Sequence, residues 1–190
     1  LHKKVSAEVM PQFDRLKAFH DEEEAKAFAD KAKGAFGKYV AMFDEVVSDW
    51  NAIGLTVKDG WLGQMNVAAD SAEKEIRADN DQLLLSEFLM MRRMEKNFLA
   101  RLNPVYVERM KAQMTRFDNL LAESTIIHAD DKPIIEKTFD DYFAQFLKVA
   151  ERRLEMVEDE QIMRNLYREA MPPLEALLAD AREDRELATT

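Results

Sequence analysis

The chain has 190 residues, enough for one domain or for two small modules that share elements around a sizeable hydrophobic core. Hydrophobic residues account for 47% of the sequence and charged residues for 34%, a balance that excludes an intrinsically disordered chain. A formal net charge of -10 repels phosphate backbones, which argues against nucleic acid as a partner.

The sequence contains no cysteine, which excludes disulfides, thiolate nucleophiles and cysteine-based zinc sites. No segment has the ~20 consecutive apolar residues that a membrane-spanning helix requires, and the N-terminus lacks a hydrophobic signal core. Both ends have the character of cut ends, so we expect the chain to be an excised piece of a longer protein.

Long helices are predicted along most of the chain, because all five glycines precede Gln64 and no run alternates convincingly with period two. A short N-terminal helix precedes the acidic stretch HDEEE. A long helix is predicted at residues 22–53, where apolar residues recur at three- and four-residue spacing. The stretch NAIGLTVKDGWLG is predicted to be a loop, with Asp59 as a candidate N-cap of the third helix.

Three more helices are predicted in the rest of the chain, at residues 83–102, at residues 104–122 and at residues 133–171. In the last of these, the apolar stripe changes face near residues 158–161, which indicates that one helix packs in two consecutive layers. We therefore predict an all-α fold of two stacked helical bundles that share long helices. A single elongated four-helix bundle is the alternative.

The chain as a whole, residues 1–190, is interpreted as one domain with two modules. The smaller module holds both chain ends, residues 1–20 and 160–190, together with parts of the long helices. A bend at Pro172 and Pro173 is predicted to separate the last segment from the long helix before it. The larger module contains residues 22–158.

Five charged residues interrupt the apolar run LLLSEFLMMRRMEKNFLARL. On a helical wheel Glu95 lies among the large apolar residues, Arg92 and Lys96 lie on one flank, and Arg93 and Arg101 point away towards solvent. A carboxylate removed from water requires a cation, either from one turn earlier on the same helix or from a facing helix. The first interpretation is a buried ion pair between Glu95 and Arg92 that fixes helix register.

A second, functional interpretation is that one of these cations binds a ligand. A surplus cation among Arg92, Lys96 and Arg153 then faces a cleft and binds an anion, because a guanidinium matches a carboxylate with two parallel hydrogen bonds. Arg153, on the stripe of the longest helix, is placed on the opposite wall or beside Glu95. Tyr142 is either a core residue or a phenol that faces the ligand. The candidate ligand-binding residues are therefore Arg92, Lys96, Arg153 and Tyr142.

No catalytic or metal site is predicted. The three histidines, His2, His20 and His128, are scattered, and neither a Glu-x-x-His motif nor an i, i+4 histidine pair occurs. A Gly-rich phosphate loop and a serine nucleophile elbow are also absent from the sequence. We expect no cofactor and no enzymatic activity in this chain.

The segment LLLSEFLMMRRMEKNFLARLNPVYVERM resembles the Leu-rich Arg-Arg-x-Glu-Lys-x-Phe-Leu-x-Arg segment of periplasmic sensor domains of bacterial chemoreceptors, especially the helical bimodular family, which also occurs on sensor histidine kinases. The preceding IGLTVKDGWLGQMNVAADSAEKEI is similar to the glycine-containing loop and helix of that family. The resemblance covers residues 53–117, about a third of the chain. It departs from the pattern at Met94 and Asn97, where the family leads us to expect His and Asp.

The resemblance implies an extracytoplasmic, periplasmic domain of an inner-membrane receptor, anchored by flanking transmembrane helices that this chain lacks. It implies that the domain binds a small carboxylate and passes a helix displacement to cytoplasmic parts, either a histidine kinase core or a methyl-accepting chemotaxis tail. The module with the chain ends is then membrane-proximal, and a homodimer forms through its helices. The alternative is a soluble helical-bundle scaffold for protein-protein interaction.

Overall fold

In the computed structural model, residues 2–19 and 23–187 are described, and they form six α-helices and no strand. The all-α class predicted from the sequence is therefore confirmed for this part of the chain. His20 and the predicted start of the second helix at Glu22 lie outside the described residues, as do residues 188–190. The helices are α1 (His2–Phe19), α2 (Glu23–Ile53), α3 (Gly60–Asp79), α4 (Gln82–Arg101), α5 (Val105–Glu123) and α6 (Lys132–Leu187).

The chain divides into two compact units that share α2 and α6. Unit 1 contains Leu1–Val47 and Glu158–Thr190, and unit 2 contains Ser48–Val157. The division in α6 lies next to residues 158–161, where the apolar stripe changes face. The division in α2 follows Val47 and does not lie at the beginning of the helix, so most of α2 belongs to unit 1.

The predicted end of the last helix at Met171 is wrong, because α6 continues through Pro172 and Pro173 to Leu187. Each proline removes one backbone donor and crowds the carbonyl four residues earlier, which kinks a helix or ends it. The residues that follow, LEALLADARE, are mostly strong helix formers, and they keep the chain helical beyond the two prolines.

Unit 2 has a continuous hydrophobic core built from α3, α4, α5 and α6. The spacing of apolar residues predicts one buried face on α5, made of Tyr106 or Val107 followed by Met110, Met114, Phe117 and Leu121. Tyr106 is the buried one of the first two alternatives, and the other four residues are buried as predicted. Aromatic rings connect the helices. Phe117 of α5 stacks on Phe139 of α6 with ring centroids 3.8 Å apart, and Phe88 of α4 packs edge-on against the same ring at 5.4 Å.

Asp81 determines where α4 begins. Its Oδ1 accepts hydrogen bonds from the backbone amides of Leu83 and Leu84, at 3.0 and 3.1 Å, and its Oδ2 accepts one from the Ser124 hydroxyl at 2.8 Å. Asp81 thus caps α4 and ties it to the end of α5. Asp59, the predicted N-cap of α3, occupies that position, but its carboxylate accepts from the Thr56 hydroxyl and caps no amide.

Unit 1 combines α1 with the first part of α2 and the last part of α6. Phe13 of α1 is buried against Phe36 of α2, with ring centroids 5.7 Å apart, and Lys17 forms an ion pair with Asp30 at 2.6 Å. Among the described helices of both units, none has an apolar stretch sufficient to cross a membrane.

Candidate functional site

Glu95 of α4 is fully buried, and three side chains satisfy its carboxylate. Arg92 and the Tyr142 hydroxyl both donate to Oε2, the hydroxyl at 2.7 Å, and the Lys96 ammonium lies 2.7 Å from Oε1. The ion pair that the sequence predicts between Glu95 and Arg92 is thus present. Paired and hydrogen-bonded in this way, a buried carboxylate avoids most of the cost of leaving water.

The same cluster connects three helices and a loop. The second guanidinium nitrogen of Arg92 donates to Asn66 Oδ1 of α3 at 3.1 Å. The Asn66 amide in turn donates to the carbonyl of Val57 at 2.8 Å, in the loop before α3. Tyr142 brings in α6 through its bond to Glu95. We define Asn66, Arg92, Glu95, Lys96 and Tyr142 as the Glu95 cluster, and its contacts fix the register of α4 against α3 and α6.

Burial of Tyr142, together with the negative charge of Glu95, raises the pKa of its phenol well above the ordinary value. The phenol therefore remains protonated throughout the physiological range and acts as a permanent hydrogen-bond donor to Glu95. The hydrogen bond between Tyr142 and Glu95 is therefore a structural contact, because the phenol donates its proton to a group inside the protein.

The four predicted ligand-binding residues are not brought to one cleft. Tyr142 is 0% exposed and donates to Glu95, so the prediction that its phenol faces a ligand is wrong. Arg153 places its guanidinium carbon 4.1 Å from the centroid of the Trp50 ring, a cation–π contact. Arg92 and Lys96 both direct their charges to Glu95.

A different set of side chains on α4 and α5 lines a cavity of about 260 Å³. The residues are Met90, Arg93, Met94, Asn97, Arg101, Tyr106 and Arg109. We call this cavity the arginine pocket. Successive turns of α4 supply most of its lining, and α5 supplies the last two residues. Leu102, with φ 49°, ends α4 in the left-handed conformation and donates its amide to the Phe98 carbonyl, so a short turn brings α5 back beside α4.

Tyr106 organises two of the three guanidiniums. Its hydroxyl accepts a hydrogen bond from Arg101 at 2.6 Å, and its ring centroid lies 5.8 Å from the Arg101 Cζ and 5.7 Å from the Arg109 Cζ. The ring is 9% exposed, so its position is set by the core beneath it. A phenol is neutral, and these contacts hold the two cations in place without neutralising their charge.

No carboxylate of the described residues forms an ion pair with Arg93, Arg101 or Arg109. The acids on the neighbouring turns have other partners. Glu87 pairs with Arg116 at 2.9 Å, and Glu108 pairs with Lys111 at 2.9 Å. The pocket therefore concentrates three positive charges in a chain whose net charge is -10. Three guanidiniums that share one cavity provide hydrogen-bond donors suited to an organic anion.

The sequence placed Arg93 and Arg101 on the solvated side of α4, and both are exposed, but it did not predict the pocket that they line together with Arg109. A signal was present in the spacing. Arg93, Asn97 and Arg101 are four residues apart, so they form one stripe without an acid. Asn97 and Met94, the two departures from the resembled family pattern, both line the pocket.

Among the described residues, no group of three histidine or carboxylate side chains is arranged to hold a metal ion. Comparison of the chain with protein-family models, with curated proteins and with solved structures finds no match. Membership of the chain in the sensor-domain family that residues 53–117 resemble therefore stays a prediction.

Proposed function

We propose that this chain is a ligand-sensing domain that binds a small organic anion in the arginine pocket. The observation that carries the proposal is the convergence of Arg93, Arg101 and Arg109 on one cavity without a carboxylate partner among the described residues. Each guanidinium presents several donors in a fixed plane, which suits a carboxylate better than it suits a single-point acceptor. Met90 and Met94 add an apolar wall, which favours an organic ligand with a carbon skeleton.

The electrostatics of the arginine pocket support the same proposal. Like charges on neighbouring turns and on the facing helix repel one another, and the repulsion is relieved when an anion enters. Ligand binding should therefore stabilise the folded chain, by RT ln(1 + [L]/Kd), or about 2.7 kcal/mol when the ligand is at a hundred times its Kd.

We further propose that the domain is the periplasmic part of an inner-membrane receptor, as the family resemblance implies. The flanking membrane helices, the homodimer and the cytoplasmic output, a histidine kinase core or a chemotaxis tail, all belong to this proposal. α4 offers a physical route for the signal, since the arginine pocket and the Glu95 cluster occupy different faces of the same helix. The Glu95 cluster in turn contacts α6 through Tyr142. A ligand shifts such an equilibrium only by its differential affinity for two helix arrangements.

Thermal unfolding with a panel of small carboxylates tests the ligand part of the proposal. Acetate, succinate, citrate and benzoate are each added at millimolar concentration and constant ionic strength, with chloride, sulfate and phosphate as reference anions. We expect at least one carboxylate to raise the melting temperature of the wild type, and Arg109→Gln to lose most of that rise. Arg116→Gln removes the same charge from the same helix outside the pocket, and it should retain the response. If no carboxylate has an effect, or both variants respond as the wild type does, the proposal fails.

The receptor part has its own test. The gene is read beyond both ends of this sequence, and hydrophobic spans long enough to cross a membrane are expected on both sides. If the complete coding sequence contains no such spans, the receptor assignment is contradicted and the scaffold alternative is favoured.

A further inference from the structure

Asn97 occupies the middle of the arginine pocket. It lies four residues after Arg93 and four before Arg101, and side chains at this spacing are neighbours on one helix face. The side chain is half-buried, and its amide has no hydrogen-bond partner among the described residues. A polar group that lines the pocket and has no such partner is available to a ligand that enters the pocket.

The charge of residue 97 decides what the pocket can accept. An acid at this position would lie four residues before Arg101, which is the favourable order for an ion pair because the acid is nearer the helix N-terminus. It would also lie four residues after Arg93, one turn earlier on the same face. It would supply the carboxylate that the arginines lack, from within the chain. Asparagine has nearly the same shape as aspartate but carries no charge, so it leaves the guanidiniums without an internal partner. Its amide nitrogen adds one more hydrogen-bond donor to the side chains that line the pocket.

We infer that Asn97 is the specificity-determining residue of the arginine pocket. Its neutral amide keeps the positive charge of Arg93, Arg101 and Arg109 available to a ligand carboxylate and contributes a hydrogen bond to it. This inference rests on the proposed function, because it assumes that the pocket binds an organic anion. It adds that a single isosteric substitution, Asn97→Asp, weakens the binding of that class of ligand.

The test is calorimetric titration of three forms of the whole chain: the wild type, Asn97→Asp and Asn97→Ala. The titrant is the carboxylate that gives the largest thermal shift on the wild type. Asn97→Asp should weaken the affinity about ten- to a hundredfold, since it replaces a donor by an internal competitor for charge-assisted bonds. Asn97→Ala removes the amide and adds no charge, so it should weaken the affinity less than tenfold. Without ligand, Asn97→Asp should unfold at the same temperature as the wild type or at a higher one, because the new acid relieves repulsion.

An Asn97→Asp variant that binds the carboxylate as tightly as the wild type overturns the inference and leaves the proposed function standing. A wild type that binds no carboxylate overturns the proposed function, and the inference falls with it. If Asn97→Asp fails to fold, Asn97→Glu places the same charge on a longer side chain and is held to the same comparison. Equal losses for the aspartate and alanine variants would also contradict the inference, because charge would then have no separate effect.

Discussion

Replacing Tyr142 with phenylalanine removes a single hydroxyl from the Glu95 cluster and keeps the ring in the core. The lost bond joins a neutral donor to a fully buried carboxylate at 2.7 Å, and hydrogen bonds to charged groups contribute about 1.5–3 kcal/mol. Because Arg92 donates to the same oxygen, Glu95 is not left without a partner in the variant. The lower part of that range is therefore expected, about 1.5–2 kcal/mol, which corresponds to a fall in melting temperature of about 3–8 °C for a chain of this size.

Tryptophan fluorescence during urea unfolding is a suitable assay, because both tryptophans, Trp50 and Trp61, belong to unit 2 together with the substituted residue. Tyr167→Phe is the matched control. It deletes the same atom from a half-exposed ring in unit 1, where a change within about 0.5 kcal/mol is expected. The reasoning would be refuted by a Tyr142→Phe variant whose free energy of unfolding differs from that of the wild type by no more than the control does.

Four further substitutions follow from the fold. Asp81→Ala removes both amide bonds that begin α4, and a loss of about 1–2 kcal/mol in chemical unfolding is expected; a loss below 0.5 kcal/mol would contradict the capping role. At Gly63 an added Cβ would lie 2.4 Å from the Lys58 carbonyl oxygen, so Gly63→Ala should destabilise by about 1–3 kcal/mol. Gly34→Ala, with open space around the site, should instead stabilise α2 by about 0.5–1 kcal/mol, and circular dichroism melts of the two variants should shift in opposite directions. Desolvation, with the charges of two α6 carboxylates, raises the pKa of Asp118 above its ordinary value of 3.8, so its ionised form opposes folding at neutral pH; Asp118→Asn should be more stable than the wild type at pH 7, lose that advantage as the pH falls through the raised pKa, and have none left below 3.8.

The part of the fold that the sequence predicted is the part that helical periodicity determines. The core stripe of α5 was predicted apart from its first member, which the spacing left open between Tyr106 and Val107, since a 3.6-residue period leaves one apolar face. The pair of Arg92 with Glu95 was predicted for a related reason: the two residues are one turn apart, and a buried acid requires a cation. These inferences depend only on a helix and its own side chains.

What the sequence did not predict depends on neighbours in space. A helical wheel assigned Arg93 and Arg101 to solvent because they lie away from the core, but it cannot show that α5 brings Tyr106 and Arg109 beside them. Tyr142 was left between two roles because its partner, Glu95, is forty-seven residues away in the chain. The continuation of α6 beyond Met171 was missed for the opposite reason: the local rule for proline was applied without the helix formers that follow.

The proposed function depends on Arg93, Arg101 and Arg109 forming an anion-binding site. The decisive experiment is calorimetric titration with one small carboxylate, either succinate or another acid that shifts the thermal unfolding of the wild type. The acid is titrated into the wild type and into a triple variant with glutamine at all three positions. The wild type should give a saturable 1:1 heat whose affinity falls as ionic strength rises, and the triple variant should give none. A heat that persists unchanged in the triple variant, or a wild type that binds no carboxylate, would contradict the claim.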